Sequence, residues 1–213
     1  MSGPEGSQDW ISAAVDVLAE GGVGAVRVEV LAQRLGVTKG GFYRRYRDRR
    51  ALLDTILSGW VEGRIVAIRQ QIELSAGKPP ADRIWELIRF FAERLNPQGL
   101  AVELAIRQWG RSDPAAAAAV AQVDAARLAG VAALYEALGF AREVARARGV
   151  ILYAVVFGQE LLFLELDTTL RGAVIAACAD TLVGVGCSQH DPSCARVETL
   201  GQSLGGDRHD ECA

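Results

Sequence analysis

The sequence predicts an all-α protein, with a small three-helix N-terminal unit followed by a larger helical region. Three observations lead there. Ala and Arg, both strong helix formers, number 34 and 21 against only 2 Lys in 213 residues. No alternation of apolar and polar residues runs long enough to suggest a strand. Apolar residues instead recur at helical spacing between Gly, Pro and Asp punctuation.

Each helix has a local reason. The first is expected over Gln8 to Glu20, with Trp10, Ala14 and Leu18 on one face, and Gly21, Gly22 and Gly24 break it. Val28 to Leu35 is short and amphipathic, Gly36 turns the chain, and a second short helix is expected from Thr38 to Tyr46. Asp48 is placed to cap a long helix reaching Leu74. Gly77 to Pro80 reads as a loop, followed by helices at Ala81 to Leu95 and Gly99 to Trp109. Asp113-Pro114 starts a helix, because the Asp can cap and Pro at the first position loses no hydrogen bond. That helix ends at Leu138-Gly139; another spans Ala141 to Leu166, and Asp167 caps a last one from Thr168 to about Val185. The polar stretch from Gly186 to Ala213 is expected to be disordered.

Composition removes several classes. With 50% hydrophobic and 23% charged residues and a net charge of -3, the chain is neither disordered nor a uniformly basic nucleic-acid coat. The longest uncharged apolar stretch, Gly149 to Gln159, falls short of the roughly 20 residues that cross a bilayer, so no membrane span is expected. Met1 to Asp9 lacks the basic and apolar parts of a secretory signal. Cys178, Cys187, Cys194 and Cys212 cluster near the end of the chain and read as reduced thiols of a cytoplasmic protein. The two His, His190 and His209, both lie in the tail, so no Ser/His/Asp or Cys/His arrangement can be placed in the folded part and no enzyme is expected. The tail's Cys187, His190, Cys194, His209 and Cys212 fit no tight zinc spacing, so neither a metal nor a cofactor is expected.

Charge points to one segment. From Arg34 to Arg50 there are seven basic residues (Arg34, Lys39, Arg44, Arg45, Arg47, Arg49, Arg50) and one acid, Asp48. A basic cluster in an otherwise acidic chain is a footprint for phosphate. The same stretch has the layout of a helix-turn-helix. Ala32 supplies a small residue where two helices cross, Gly36 tolerates the positive φ of the turn, and Val28, Leu31, Leu35, Val37 and Phe42 can fill the small core. Gly40 and Gly41 sit inside the second helix, where each Gly costs roughly 1 kcal/mol relative to Ala. Two in succession imply close approach of another body, and a recognition helix reads a major groove from its N-terminal end.

On these residues the stretch from Trp10 to Leu57 resembles the N-terminal DNA-binding domain of the TetR (tetracycline-repressor-like) family. The resemblance is carried by Leu31-Ala32, by Leu35-Gly36-Val37-Thr38-Lys39-Gly40-Gly41-Phe42-Tyr43, by Tyr46, and by Arg49 with Leu52-Leu53. Glu103 to Pro114, and Leu138-Gly139-Phe140 before a long helix, are similar to the ligand-binding domain of some members. The resemblance implies an N-terminal DNA-binding domain at 8–57, a helical ligand-binding and dimerisation domain at 58–186, and a tail at 187–213. It implies that Lys39, Gly40, Gly41 and Tyr43 approach bases while Thr38, Arg44, Arg45 and Arg49 hold phosphates, with Phe42 and Tyr46 turned to the core. Where the family often has Thr or Ser at the start of the first motif helix, this chain has Val26; Arg27 beside it is the expected substitute for the phosphate contact.

It further implies a homodimer, double-stranded operator DNA and a small-molecule effector as partners. The expected function is a ligand-responsive repressor released from a palindromic operator by a largely apolar effector; the alternative is a helical ligand-binding or interaction module with weakened DNA binding. Candidate pocket residues are Trp85, Phe90, Phe91, Glu103, Gln108, Trp109, Tyr135, Tyr153 and Phe157, though aromatics at helical spacing are more often plain core. Glu103 can equally pair with Arg107 one turn on. Two apolar stripes, drawing on Leu152, Val156, Gln159 and Phe163, and on Val174, Cys178, Thr181 and Leu182, are the expected dimer interface, or else pack inside the monomer.

Overall fold

The structure, a computed structural model, describes residues 5–93, 96–162 and 168–184, and the side chains among them except those of 5–8, 91–93, 159–162, 168, 169 and 171. The expected tail from Gly186, with its Cys and His residues, lies outside the described residues, as do Phe163 and Asp167 and the side chains of Phe91 and Gln159.

The described residues form nine helices and no strand: α1 (Glu5–Ala25), α2 (Val28–Leu35), α3 (Lys39–Tyr43), α4 (Arg49–Leu74), α5 (Pro80–Glu93), α6 (Pro97–Trp109), α7 (Pro114–Ala137), α8 (Arg142–Leu162) and α9 (Thr168–Val183). Their ends follow from local chemistry. Asp48 caps α4 by accepting from the Ala51 amide at 2.8 Å. Asp113 caps α7 by accepting from the amides of Ala115 and Ala116, with Pro114 as the first helical residue. Asn96 does the same for α6 through Gly99, so this helix starts two residues before the expected Gly99. Gly36 closes α2 at φ 66°, and the Val37 and Gly36 amides return to the carbonyls of Ala32 and Gln33 in a Schellman arrangement. Gly22, at φ 70°, kinks α1 rather than ending it.

Two buried clusters hold the helices together. The first gathers α1, α2, α3 and the first half of α4, and continues into α6 and α7 through Val102, Ile106, Trp109, Ala116, Ala119 and Val123. The second joins α5, the end of α7, α8 and α9 around Ile84, Ile88, Tyr135, Leu152 and Ala179. The N-terminal unit is thus seated on the rest by α6, which packs along α1. α7 is long and apolar enough to cross a membrane by length and composition alone. It packs instead against α4, α5, α6 and α8 and buries Arg127 among them.

Candidate functional site

The helix-turn-helix is built on aromatic packing. Phe42 is fully buried, and Trp10 of α1 meets it edge-on at 5.4 Å. Tyr46 packs on its other side at 5.4 Å, and burying a side chain the size of Phe stabilises by about 1.5–3 kcal/mol. This fixes the back of α3 and turns the opposite side outward. Lys39 and Gly40 are exposed, and Tyr43 is 58% exposed. The Tyr46 ring belongs to the core, as expected. Val37 does not: it is 47% exposed, because the Gly36 turn swings it to the solvent side.

Nothing inside the protein requires glycine at 40. A methyl group there would meet only Thr38 Oγ1 at 3.7 Å, an ordinary contact. At Gly41 the neighbour is Trp10, at 3.8 Å. Thr38 occupies the cap position of α3, but its hydroxyl makes no cap bond. Arg27 caps α2 by position and is exposed. Val26 is fully buried, so its apolar side chain serves the core of the N-terminal unit.

The basic residues divide into three groups. Lys39 pairs with Glu29 at 2.7 Å and draws the Glu29 carboxyl below its usual range. Arg34 forks onto Glu20, Arg47 meets Asp48 at 2.9 Å, and Arg50 bridges Asp54 and the α7 cap Asp113. Such exposed pairs are weak and exchange readily for phosphate. Arg44 Nε donates to the Gly40 carbonyl at 3.4 Å and keeps its terminal nitrogens exposed. Arg49, expected at a phosphate, also has partners inside the fold. Its Nε and Nη2 donate to the carbonyls of Val26 and Val23, locking the start of α4 to the α1–α2 turn. Both carbonyls lie where α1 ends, beyond the reach of further helical amides.

The larger helical region holds a cavity of about 170 Å³ among α4, α5, α7 and α8. Of the expected pocket residues, Phe90 and Tyr153 line it. Burial pushes the Tyr153 phenol up to about 12. The others lie elsewhere. Trp85 donates to Asp180 at 3.1 Å, Gln108 is exposed beside α1, and Trp109 is core between α1 and α7. Tyr135 is fully buried, edge-on to Phe140, and its hydroxyl has no partner among the described residues. Phe157 lies under the guanidiniums of Arg107 and Arg127, at 4.6 and 5.5 Å.

Glu103 sits behind the cavity wall. It is 2% exposed and receives Arg127 through two bonds of 2.8 and 3.0 Å, Arg107 at 3.0 Å, and Arg64 at 3.5 Å. Arg107 and Arg127 also reach Asp124. Burial pushes the Glu103 carboxyl up, but the guanidiniums more than offset this and hold it below its usual range. The expected i+4 pair with Arg107 is therefore present, though inside the fold rather than on a wet face. Arg64, Arg83 and Arg127, all on the cavity wall, were not expected. The legible signal was Arg127 itself, a lone cation in an alanine-rich apolar helix.

The residues of the two expected dimer stripes fall into different environments. Leu152, Val156 and Leu182 are buried within this one chain, in the second cluster. Val174 and Cys178 are half-buried, and the exposed Thr181 returns its hydroxyl to the Ala177 carbonyl. Among the described residues, the large apolar side chains left exposed on α8 and α9 are Val144, Val150, Ile151 and Leu170. No group of three His, Cys, Asp or Glu placed to hold a metal occurs among the described residues.

Comparison with known proteins agrees with this geometry. Residues 11–56 match the family of bacterial regulatory proteins of the tetR type. No curated protein matches the chain. Among solved structures, a tetR-family transcriptional regulator from Agrobacterium tumefaciens is similar at TM-score 0.68 and 15% identity, over 83% of this chain and 97% of that one. A transcriptional regulator from Rhodococcus is similar at TM-score 0.65 and 18% identity, over 84% and 94%. The fatty acid degradation regulator FadR from Bacillus halodurans is similar at TM-score 0.62 and 20% identity, over 90% and 100%. At these identities the likeness shows a shared fold, while residues 11–56 carry the family. Residues 11–56 thus carry the helix-turn-helix domain of the bacterial tetR regulatory family, and the helical fold that continues behind it is one that solved transcriptional regulators share.

Proposed function

We propose that this chain is a ligand-responsive repressor that binds a palindromic operator as a homodimer and is released by a small, largely apolar effector. The observation that carries the reading is the face of α3. Phe42 is buried behind it, while Lys39, Gly40 and Tyr43 are exposed in front with no internal reason for the glycine. In this reading Lys39, Gly40, Gly41 and Tyr43 approach bases, and Arg27, Thr38, Arg44 and Arg45 hold phosphates. Residues 8–57 are the DNA-binding domain, and 58–186 bind the effector and dimerise, through the exposed apolar side chains of α8 and α9. The protein works in the cytoplasm, needs no cofactor, and performs no catalysis. Val26 favours this reading over a helical module with weakened DNA binding, because its burial adds to the core of the unit that carries α3.

Release has a physical route. α6 packs on α1 and carries Glu103, which is held by Arg64 and Arg127 on the cavity wall. A ligand that draws those guanidiniums changes how α6 is held, and so shifts the population between two placements of α1. The two recognition helices of a dimer must sit about 34–36 Å apart to meet successive turns of DNA. Selection of binding sites from random DNA by the purified protein at physiological salt tests the reading. An inverted repeat with half-sites about one turn apart is expected; recovery of nothing above background overturns it.

A further inference from the structure

The cavity among α4, α5, α7 and α8 is lined by two unlike kinds of side chain. Ile68, Leu87, Phe90, Val131 and Leu134 are apolar. Arg64, Arg83 and Arg127 bring three guanidiniums. Among the described residues no carboxylate lines it. Arg127 and Arg64 lean on Glu103 behind the wall, which they share with Arg107. Arg83 has no such partner. Its Nε donates to Ser75 Oγ at 3.1 Å and its Nη2 to the Ile72 carbonyl at 3.5 Å, both neutral acceptors, and its Nη1 makes no bond among the described residues. Ser75 is itself buried and spends its hydroxyl proton on the α4 carbonyls, so it fixes the Arg83 side chain without neutralising it.

A half-buried guanidinium held in place without a counterion, facing apolar side chains, recognises an amphipathic anion. A planar guanidinium fork matches a carboxylate in particular. We infer that this cavity takes a small carboxylate, its charge held by Arg83 and its apolar body against Phe90, Leu87 and Ile68. A cavity of about 150 Å³ holds benzene, so about 170 Å³ admits roughly one ring or a short chain of similar bulk. The inference rests on the proposed effector-responsive function and names the chemical class of the effector. Arg64 and Arg127 add to the positive field and link the bound anion to Glu103.

The test is calorimetric titration of the full chain with benzoate, phenylacetate, hexanoate and octanoate, each against its neutral alcohol. At least one acid should bind about tenfold or more tightly than its alcohol, as a charge-assisted contact requires. Arg83→Gln should reduce that preference to within about threefold, with Arg83→Lys falling between, since it keeps the charge and loses the fork. Acids and alcohols binding alike, no acid binding below about 1 mM, or a preference untouched in Arg83→Gln each overturns the inference. The comparison of acid with alcohol needs only the unaltered chain, so it stands even if a variant fails to fold. Binding to the selected DNA, measured on the same protein, separates the two ideas. DNA bound with no acid bound removes the carboxylate and keeps the regulator; an acid bound with no DNA bound does the reverse.

Discussion

Arg127 of α7 grips Glu103 of α6 through both terminal nitrogens, at 2.8 and 3.0 Å, with the two side chains 7% and 2% exposed. The pair joins the helix that seats the N-terminal unit to the helix that walls the cavity. Its two halves are not equivalent. Glu103 serves three guanidiniums, whereas Arg127 without Glu103 retains Asp124 alone among the described residues, at 3.5 Å.

Removing Glu103 should therefore be the more damaging change. Glu103→Gln is expected to destabilise by about 3–5 kcal/mol, the range for stranding a buried charge. Arg127→Met should lose less, because Arg107 and Arg64 still neutralise Glu103. Urea unfolding of both variants measures the order; an equal or reversed loss would show that Arg127 matters for its packing rather than for its charge.

The same carboxyl makes a prediction about acid. The guanidiniums hold Glu103 below its usual value of 4.5 in the folded chain. A lowered folded pKa gives stability that is complete above the unfolded value and is lost as pH falls through the folded one. The unaltered chain should lose stability progressively below about pH 4.5, and Glu103→Gln should show a shallower loss over that window. Thermal melts from pH 7 down to pH 3 would reveal it.

Arg44 and Arg45 are expected to contribute charge without sequence information. Replacing both by Ala should weaken binding to all DNA and lower the magnitude of the salt slope by about 2, roughly one unit per phosphate contact. The measurement is affinity against log salt concentration, on the selected site and on random duplex. An unchanged slope would remove the phosphate role.

Arg49 should behave differently. Its guanidinium is bound to the carbonyls of Val26 and Val23, so Arg49→Ala leaves those acceptors wanting and should destabilise by about 1–3 kcal/mol. Its effect on DNA affinity should follow the loss of folded protein. Melting and salt-dependent binding, measured together, separate this from a phosphate contact, which would alter the slope and leave the melt alone.

How much of this was legible depends on the range of the cause. The caps at Asp48 and Asp113, the turn at Gly36 and the buried side of Phe42 are read within a few residues, since each answers a local demand of the backbone. Val37 misled because its pattern is apolar while the Gly36 turn sends it outward. For Leu152, Val156 and Leu182 the sequence left two covers open, because an apolar stripe does not say whether its cover comes from the same chain or another; the fold buries these three within the chain.

The sequence alone determined the all-α class, most helix ends, and the helix-turn-helix with its basic cluster, because periodicity, caps and charge density are properties of neighbouring residues. Only the tertiary structure decided which groups those charges meet. Arg49 reaches back 26 residues to the Val23 carbonyl, Arg127 reaches 24 to Glu103, and Arg83 comes to the cavity wall with neutral partners alone. A charged side chain has no preferred sequence separation for its partner. Its role is set by which helices the burial of apolar faces brings together, and that sum over the whole chain cannot be read from any one segment of it.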